Sequence, residues 1–516
     1  MSTQTIASER RLRPRLSWRS RVAERPGALT VAALTVLAAL LRLITLSSQS
    51  FWLDEGYTVR LLRMPFGQML RTVPQTESTP YLYYAVAWVW TRAFGFSEYG
   101  IRSLSALAGI ATVPVVYLAA RWLAGHRAGA ISGLLVAVSP LMVWFSQEAR
   151  AYSLATLLSA LTVLCVVGYA RSHRSRWLAG WAASAALGAA THYFVAFVVL
   201  GELVWLWRTA PRDRRLAAAV GLVAVVGCAL VPLAIEQQRT GHADYISHSS
   251  LHTVVIQIPK QLLLGYASPD QKVTVALAAL LLLGGAIAPL ALSAPVRARA
   301  AWPLMTGVVV VLMPVVLAAG GVDFLDTRNL LPALPPLLIA AGIGFEGWRE
   351  LAVESRRPSW RTAGSWAAAG LALVSLVVVV LVDTDSRYQR DDWRGVARAL
   401  GRDTGARVLL VDPASGEIPL QVYMPGVRAL TAPVAVREFD VAVVPVNVHG
   451  GGIGTPPRAN GPQPAALGFT LTGTVYASTY TVLRYTARSP VVISPSLANA
   501  AWLGQSGYGA LLQDGR

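Results

Sequence analysis

The chain has 516 residues, 54% of them hydrophobic and 14% charged, with a mean hydropathy of +0.48. A soluble globular protein carries about 25% charge, and single cores stop growing near roughly 250–300 residues. The composition therefore excludes an ordinary cytosolic enzyme and a disordered chain, and it points to a polytopic membrane protein. The formal net charge is +18, and Lys260 and Lys272 are the only lysines. In a membrane protein such an excess orients loops before it suggests nucleic acid, so no nucleic-acid partner is expected.

Residues 1–26 form a basic tail with Arg10, Arg11, Arg13, Arg15, Arg19, Arg21 and Arg25. The stretch is long and leads into a hydrophobic series rather than a small-residue cleavage site, so it is not read as a cleavable signal peptide. The first span runs from Gly27 to about Leu46, and the basic tail puts the N-terminus in the cytoplasm. Later apolar runs lie near 101–120, 129–145, 151–170, 177–190, 193–207, 216–235, 271–292, 302–319, 328–346 and 363–382. The clusters Arg121/Arg127, Arg171/Arg174/Arg176, Arg208/Arg212/Arg214/Arg215, Arg297/Arg299 and Arg349/Arg356/Arg357/Arg361 fall on one side if residues 80–94 do not cross. The opposite connections carry acids such as Asp54, Glu77, Glu148 and Asp326. This asymmetry predicts eleven crossings, N-terminus in and C-terminus out. Residues 80–94 then form an aromatic juxtamembrane helix at the outer interface; the alternative is a twelfth crossing that inverts every later loop.

The transmembrane domain thus covers 27–382, with outer loops at 47–100 and 236–270. From 383 to 516 the character changes to a small extracytoplasmic α/β domain with a flexible tail. Val408–Val411 and Val441–Val444 read as strands, Trp393–Leu400 as a helix, and Thr470–Tyr485 as a hairpin. Asn447–Pro464 is a Gly/Pro-rich loop. Cys165 and Cys228 both lie in apolar runs, so no disulfide is expected.

Candidate chemistry concentrates at the outer ends of the spans. Asp54 and Glu55 follow the first span, with Tyr57 three residues after Asp54. Two adjacent acids are about as often helix-capping groups as functional ones, but desolvation at a membrane surface favours a carboxylate as general base. Glu77 and Tyr83 come next in the same loop, Gln147, Glu148, Arg150 and Tyr152 in the next outer connection, His192 and Tyr193 after that, and Arg328 and Asn329 open a late span. Singly, each is better explained by solvated loop chemistry. Arginine forks suit phosphate, which makes Arg150 and Arg328 the first phosphate candidates and Arg60 and Lys260 weaker ones. Arg42 and Glu202 lie within or near spans; Arg42 is close enough to the outer end to snorkel. No zinc spacing, P-loop, dinucleotide fingerprint or nucleophile elbow is present. No cofactor is therefore expected; a divalent metal is compatible with the acids but not indicated.

Taken in order, Trp52-Leu-Asp54-Glu55, Thr79-Pro80-Tyr-Leu-Tyr83-Tyr84, Gly95-Phe-Ser-Glu98-Tyr-Gly-Ile-Arg102, Trp144-Phe-Ser-Gln147-Glu148-Ala-Arg150 and Thr191-His192-Tyr193 resemble the GT-C glycosyltransferases. The likeness is to the protein O-mannosyltransferase and lipid A aminoarabinose transferase family. Arg328-Asn-Leu-Leu-Pro332-Ala-Leu-Pro335 and Asp391-Asp-Trp393-Arg394-Gly extend it over roughly residues 28–400. The resemblance implies an α-helical GT-C membrane protein that uses a polyprenyl-phosphate-linked sugar donor. It implies inverting transfer at the extracytoplasmic face of a bacterial plasma membrane, with a glycolipid, polysaccharide or protein as acceptor. Asp54 would be the base, Glu55 and Tyr57 would shape the site, and Gln147/Glu148 would supply the second acidic position. Ser78-Thr79 stands where the aminoarabinose transferases carry Glu-Lys, which removes a phosphate-binding lysine. A chain rich in Ala, Val and Arg fits a high-GC bacterium, where mannose is a common donor sugar. The alternatives are a flippase of lipid-linked sugars, which should instead show midplane charges and internal repeats, and a non-catalytic envelope scaffold.

Overall fold

A computed structural model describes residues 18–209, 213–241, 246, 250–401, 405–444, 467–500 and 509–514. The helices in chain order begin with α1 (Trp18–Leu43), α2 (Leu53–Arg63), α3 (Phe66–Thr76), α4 (Leu82–Phe94), α5 (Glu98–Ala124), α6 (His126–Val138) and α7 (Pro140–Ser146). They continue with α8 (Tyr152–Ser172), α9 (Ser175–Thr191), α10 (Val195–Thr209), α11 (Arg214–Arg239), α12 (Leu251–Leu264), α13 (Gln271–Leu282) and α14 (Ala288–Leu292). The membrane region ends with α15 (Ala294–Ala319), α16 (Leu334–Glu354) and α17 (Ala363–Thr384).

Among the described residues, seven helical stretches are long and apolar enough to cross a membrane: Glu98–Ala124, Tyr152–Ser172, Arg214–Arg239, Gln271–Leu292, Ala294–Ala319, Thr327–Glu354 and Pro358–Thr384. The pair α6 and α7, bent by 55°, makes an eighth. The other three expected spans are helical but shorter: Gly27–Leu43, Ser175–Thr191 with 17 residues and Val195–Thr209 with 15. Length and composition thus support up to eight of the eleven expected crossings. The expected juxtamembrane segment is the 13-residue α4, which reaches about 20 Å, short of a hydrocarbon core of about 30 Å.

The bundle has two chemically distinct ends. At one, Arg171 donates to the Trp122 carbonyl at 2.6 Å, Arg299 pairs with Glu350, and Arg208 lies over the Trp302 ring at 5.5 Å. At the other lie α2 to α4, the α7–α8 connection and the C-terminal domain.

Arg42 does not snorkel. It is fully buried, and its guanidinium donates to Ala137 O at 2.9 Å, Val136 O at 3.1 Å, Ala38 O at 3.3 Å and Ser146 Oγ at 3.1 Å. The reason is the break between α6 and α7. Ser139 caps the new helix, Pro140 has no N–H to continue the old one, and the last α6 carbonyls need a donor that a lipid environment does not supply. Gly109 makes room: a Cβ there would sit 2.0 Å from Ser146 Oγ and 3.0 Å from Arg42 Nε. Glu202 is likewise interior, accepting from Trp181 Nε1 at 2.8 Å.

The C-terminal domain comprises α18 (Trp393–Leu400), β1 (Arg407–Asp412), α19 (Glu417–Tyr423), β2 (Val427–Ala429), β3 (Val434–Val443), β4 (Thr470–Tyr476), β5 (Thr481–Ile493), α20 (Pro495–Ala500) and β6 (Gly509–Gln513). The strand order is β2-β6-β1-β3-β5-β4, with β1 and β3 parallel and the other pairs antiparallel. Central strands are buried on both faces: Val408 and Leu410 face one cluster with Phe439 and Phe469, while Leu409 and Val411 face Trp393 and Leu420. The expected strands, helix and hairpin fall on β1, β3, α18 and β4–β5. The expected flexible tail needs correction over its described part. Residues 509–513 form β6, paired between β1 and β2, because Leu511 and Leu512 complete both buried faces. The Asn447–Pro464 loop lies outside the described residues.

α19 docks on α2. A Cβ on Gly56 would meet Pro419 N and Ile418 Cγ2, each at 3.1 Å. Tyr423 ties the seam by accepting from Phe51 N at 2.6 Å and donating to Glu98 at 2.8 Å.

Candidate active site

The loop after α1 is organised by charge. Glu55 and Arg102 are both fully buried and form a bidentate pair at 2.7 and 2.6 Å. Arg102 also donates to the carbonyls of Leu46, Gln49 and Ser50, at 3.1, 2.8 and 2.8 Å. Glu55 accepts a further bond from Ala149 N at 2.8 Å. Burial pushes the Glu55 carboxyl up, but the Arg102 charge and hydrogen bonds outweigh it and leave it below the usual carboxylate range. Glu55 therefore anchors the start of α2 and faces away from solvent. Its neighbour Asp54 points the other way and is 22% exposed.

Asp54 Oδ2 accepts from Arg328 at 2.9 Å. Arg328 is also held by Asp326 at 3.3 Å, and Asp326 accepts from the Tyr266 hydroxyl at 2.8 Å. Arg150 approaches from the α7–α8 connection. It pairs with Glu77 at 2.7 Å and reaches Thr58 Oγ1 at 3.3 Å and the Asp54 carbonyl at 3.5 Å. Glu77 also accepts from the Tyr84 hydroxyl at 2.5 Å. Burial raises the Glu77 carboxyl, with Arg150 and the Tyr84 bond opposing.

Glu148 is fully buried and accepts from Arg390 at 2.8 Å. Burial raises its carboxyl to about 7; Arg390 pulls it down, while Glu55 and Asp54 push it up. Tyr152 lies within the fields of Arg328, Arg150 and Asp54, and its ring stands 5.5 Å from the His192 ring. His192 faces Asn329, and burial pushes its imidazole down to about 4, so it is neutral at ordinary pH. Asn329 itself donates to the Phe324 carbonyl at 2.9 Å. Tyr57 is half-buried on the next turn of α2, between Asp54, Glu77, Arg60 and Glu417 of the C-terminal domain. Burial raises its phenol, and the three acids add to this.

The structure thus gathers Asp54, Tyr57, Glu77, Glu148, Arg150, Tyr152, His192, Arg328 and Asn329 at one end of the bundle. Four expected site residues sit differently. Glu55 is the anchor just described. Gln147 turns to Leu41 O and Thr45 Oγ1, at 3.2 and 2.8 Å. Tyr193 donates to Gln237 at 2.7 Å. Tyr83 is buried in the cluster under α2 to α4. Among the weaker phosphate candidates, Lys260 donates to Gln271 at 2.8 Å and Arg60 is exposed at the rim. Sequence reasoning missed Thr58, Tyr266 and Arg390. Only Arg390 carried a signal, since it directly precedes the Asp391-Asp-Trp393-Arg394-Gly motif. Among the described residues, no group of three or more His, Cys, Asp or Glu side chains is arranged to hold a metal ion.

A helical membrane bundle, a helix-rich first loop carrying Asp54 and a small sheet domain over the same end define the GT-C fold. Residues 78–235 match the family model described as dolichyl-phosphate-mannose-protein mannosyltransferase. Solved structures that share the fold include two of ArnT from Cupriavidus metallidurans. One is bound to undecaprenyl phosphate, with a TM-score of 0.53, 14% identity, and 90% of this chain and 98% of that chain covered. The other is the apo state, with a TM-score of 0.52 at the same identity and coverage. No curated protein matches the chain by sequence. The matches in sequence and in structure both fall among the GT-C glycosyltransferases.

Proposed function

We propose that the chain is an inverting glycosyltransferase that moves a sugar, mannose on compositional grounds, from a polyprenyl phosphate to an acceptor hydroxyl. The reaction takes place at the extracytoplasmic face of a bacterial plasma membrane. The observation that carries this reading is the pairing of Asp54 with Arg328 beside Arg150, a solvent-reachable carboxylate flanked by two arginines at the bundle end. The family match and the undecaprenyl phosphate held by an ArnT of the same fold support the donor class. The loop charges support the orientation.

The chemistry follows from the placement. The donor's phosphate presents paired anionic oxygens to an arginine fork, so its arrival competes with Asp54 for Arg328 and frees Oδ2. The acceptor oxygen then attacks the anomeric carbon from the face opposite the phosphate and passes its proton to Asp54. The bond from that carbon to the phosphate oxygen breaks, and the electron pair leaves with the polyprenyl phosphate. Arg328 and Arg150 stabilise the growing phosphate charge, and the leaving group needs little protonation.

Membranes holding the wild type or Asp54→Asn, fed a panel of radiolabelled polyprenyl-phosphate sugars, test this. A positioned general base contributes roughly 10²–10⁴-fold, so Asp54→Asn should lose at least about a hundredfold of transfer while inserting normally. Undiminished transfer removes Asp54 as the base.

A further inference from the structure

The segment Gln389–Arg394 joins the last membrane helix to the C-terminal domain, and it behaves as more than a linker. Arg390 is buried with only 4% of its side chain exposed. It donates to Glu148 at 2.8 Å and to the Trp144 carbonyl at 3.2 Å, and its guanidinium lies 4.1 Å from the centre of the Trp144 ring. Its backbone N–H reaches Gln49 at 3.2 Å. Ser50 Oγ donates to the Asp391 carbonyl at 2.7 Å and accepts from Trp393 N at 3.0 Å. Arg394 holds the carbonyls of Ser47 and Ser48, at 3.1 and 2.5 Å, and pairs with Glu98 at 3.2 Å.

These contacts close a ring. Arg102 holds the carbonyls of Leu46, Gln49 and Ser50 from α5, and the segment 390–394 holds Ser47, Ser48, Gln49 and Ser50 of the same stretch. Arg390 then reaches Glu148, the next residue Ala149 bonds Glu55, and Glu55 returns to Arg102. Asp54 is the residue beside Glu55 on this ring. One carboxylate oxygen of Glu148 is buried and accepts no hydrogen bond, whereas the other is fixed by Arg390. A carboxylate fixed by one oxygen and bare at the other can accept a hydroxyl from a bound sugar. The bare oxygen lies in a site whose other charged groups toward it are Glu55, Asp54 and Arg328.

We propose that Arg390 is a positioning residue of the transfer reaction, holding Glu148 ionised and aimed so that its free oxygen accepts a sugar hydroxyl, and that this is how the C-terminal domain is coupled to the site. The inference rests on the glycosyltransferase reading and adds to it a residue that never touches substrate. Removing the guanidinium leaves Glu148 buried beside Glu55 and Asp54 with no direct cation. Burial and two like charges then keep its proton on at higher pH, and a protonated carboxyl no longer accepts in the same way.

The test compares the full-length wild type, Asp54→Asn, Arg390→Gln and Arg390→Lys in native membranes, which carry the acceptor, with the panel of radiolabelled polyprenyl-phosphate sugars. Transfer by the wild type should fall off on the acid side near pH 7. In Arg390→Gln the fall-off should move up by about one pH unit or more, an opposite charge at this range being worth that much, and kcat should drop more than the donor KM rises. Arg390→Lys keeps a charge at the site and should return most of the shift. An unmoved pH profile in an active Arg390→Gln overturns the proposal and leaves the glycosyltransferase reading intact. A wild type that transfers nothing sinks that reading instead. In that case hydrogen exchange still judges the ring: Arg390→Gln should speed exchange in residues 46–52 and 147–151 by about tenfold or more, and unchanged exchange there overturns the coupling.

Discussion

Replacing Arg102 with methionine removes the centre of the first loop. The wild-type guanidinium makes two bonds to Glu55 and three to the carbonyls of Leu46, Gln49 and Ser50. After the change Glu55 stays fully buried with one bond, from Ala149 N. Breaking a buried pair by removing one partner costs about 3–5 kcal/mol. Each carbonyl left unmatched adds about 1–3 kcal/mol where it cannot turn to water. Ser47 and Ser48 are pinned by Arg394, which limits that turning, so the total should be at least about 4 kcal/mol.

The double variant Glu55→Met/Arg102→Met removes the stranded charge, and exchanging a buried pair for apolar groups is often close to neutral. About half of the loss should therefore return. Denaturant unfolding in mild detergent, followed by circular dichroism, reads both variants. The pH dependence supplies a second check. The depressed Glu55 carboxyl contributes stability that is present above the ordinary glutamate pKa and lost as pH falls through the folded value. In Arg102→Met the unpaired carboxyl takes up a proton readily, so the gap to wild type should narrow in acid. The reasoning is refuted if the double variant is as unstable as the single one, or if the single variant unfolds within about 0.5 kcal/mol of wild type, the usual range of a surface change.

Two further outcomes are expected. Arg150→Ala should raise the donor KM about tenfold or more, because it removes a charge-assisted phosphate ligand and leaves Glu77 buried without its cation; Arg150→Lys should recover part of this, and an unchanged donor KM excludes Arg150 as a phosphate ligand. Ser478 is exposed in the turn between β4 and β5, so Ser478→Cys in a Cys228→Ser background should react with an impermeant maleimide on intact cells. Labelling only after permeabilisation would invert the proposed orientation.

Much of the site was legible because a membrane chain keeps few charges. Once the Arg clusters between spans are given to topology, the polar groups left at the opposite span ends are sparse, and most of them converge in space. Asp54, Arg150 and Arg328 are such residues, separated by tens to hundreds of positions along the chain yet joined at one end of the bundle. What misled is equally physical. Adjacent residues on a helix point about 100° apart, so Asp54 and Glu55 cannot share a role: one meets solvent and the other is buried against Arg102. Gln147 and Glu148, both buried in the connection after α7, part by partner instead: Gln147 turns to Leu41 and Thr45, Glu148 to Arg390.

Sequence by itself determined the membrane class, the positions of the apolar helices, the two chemically distinct ends and four of the six strands of the C-terminal domain. Those follow from hydropathy and local periodicity, which are properties of neighbouring residues. Tertiary structure alone decided which charges pair, that Arg42 caps a broken helix, that the chain's last described strand completes the sheet, and that Arg390 reaches Glu148 across 242 positions. A buried charge has to find its partner wherever the fold brings one, and no local pattern records where that is.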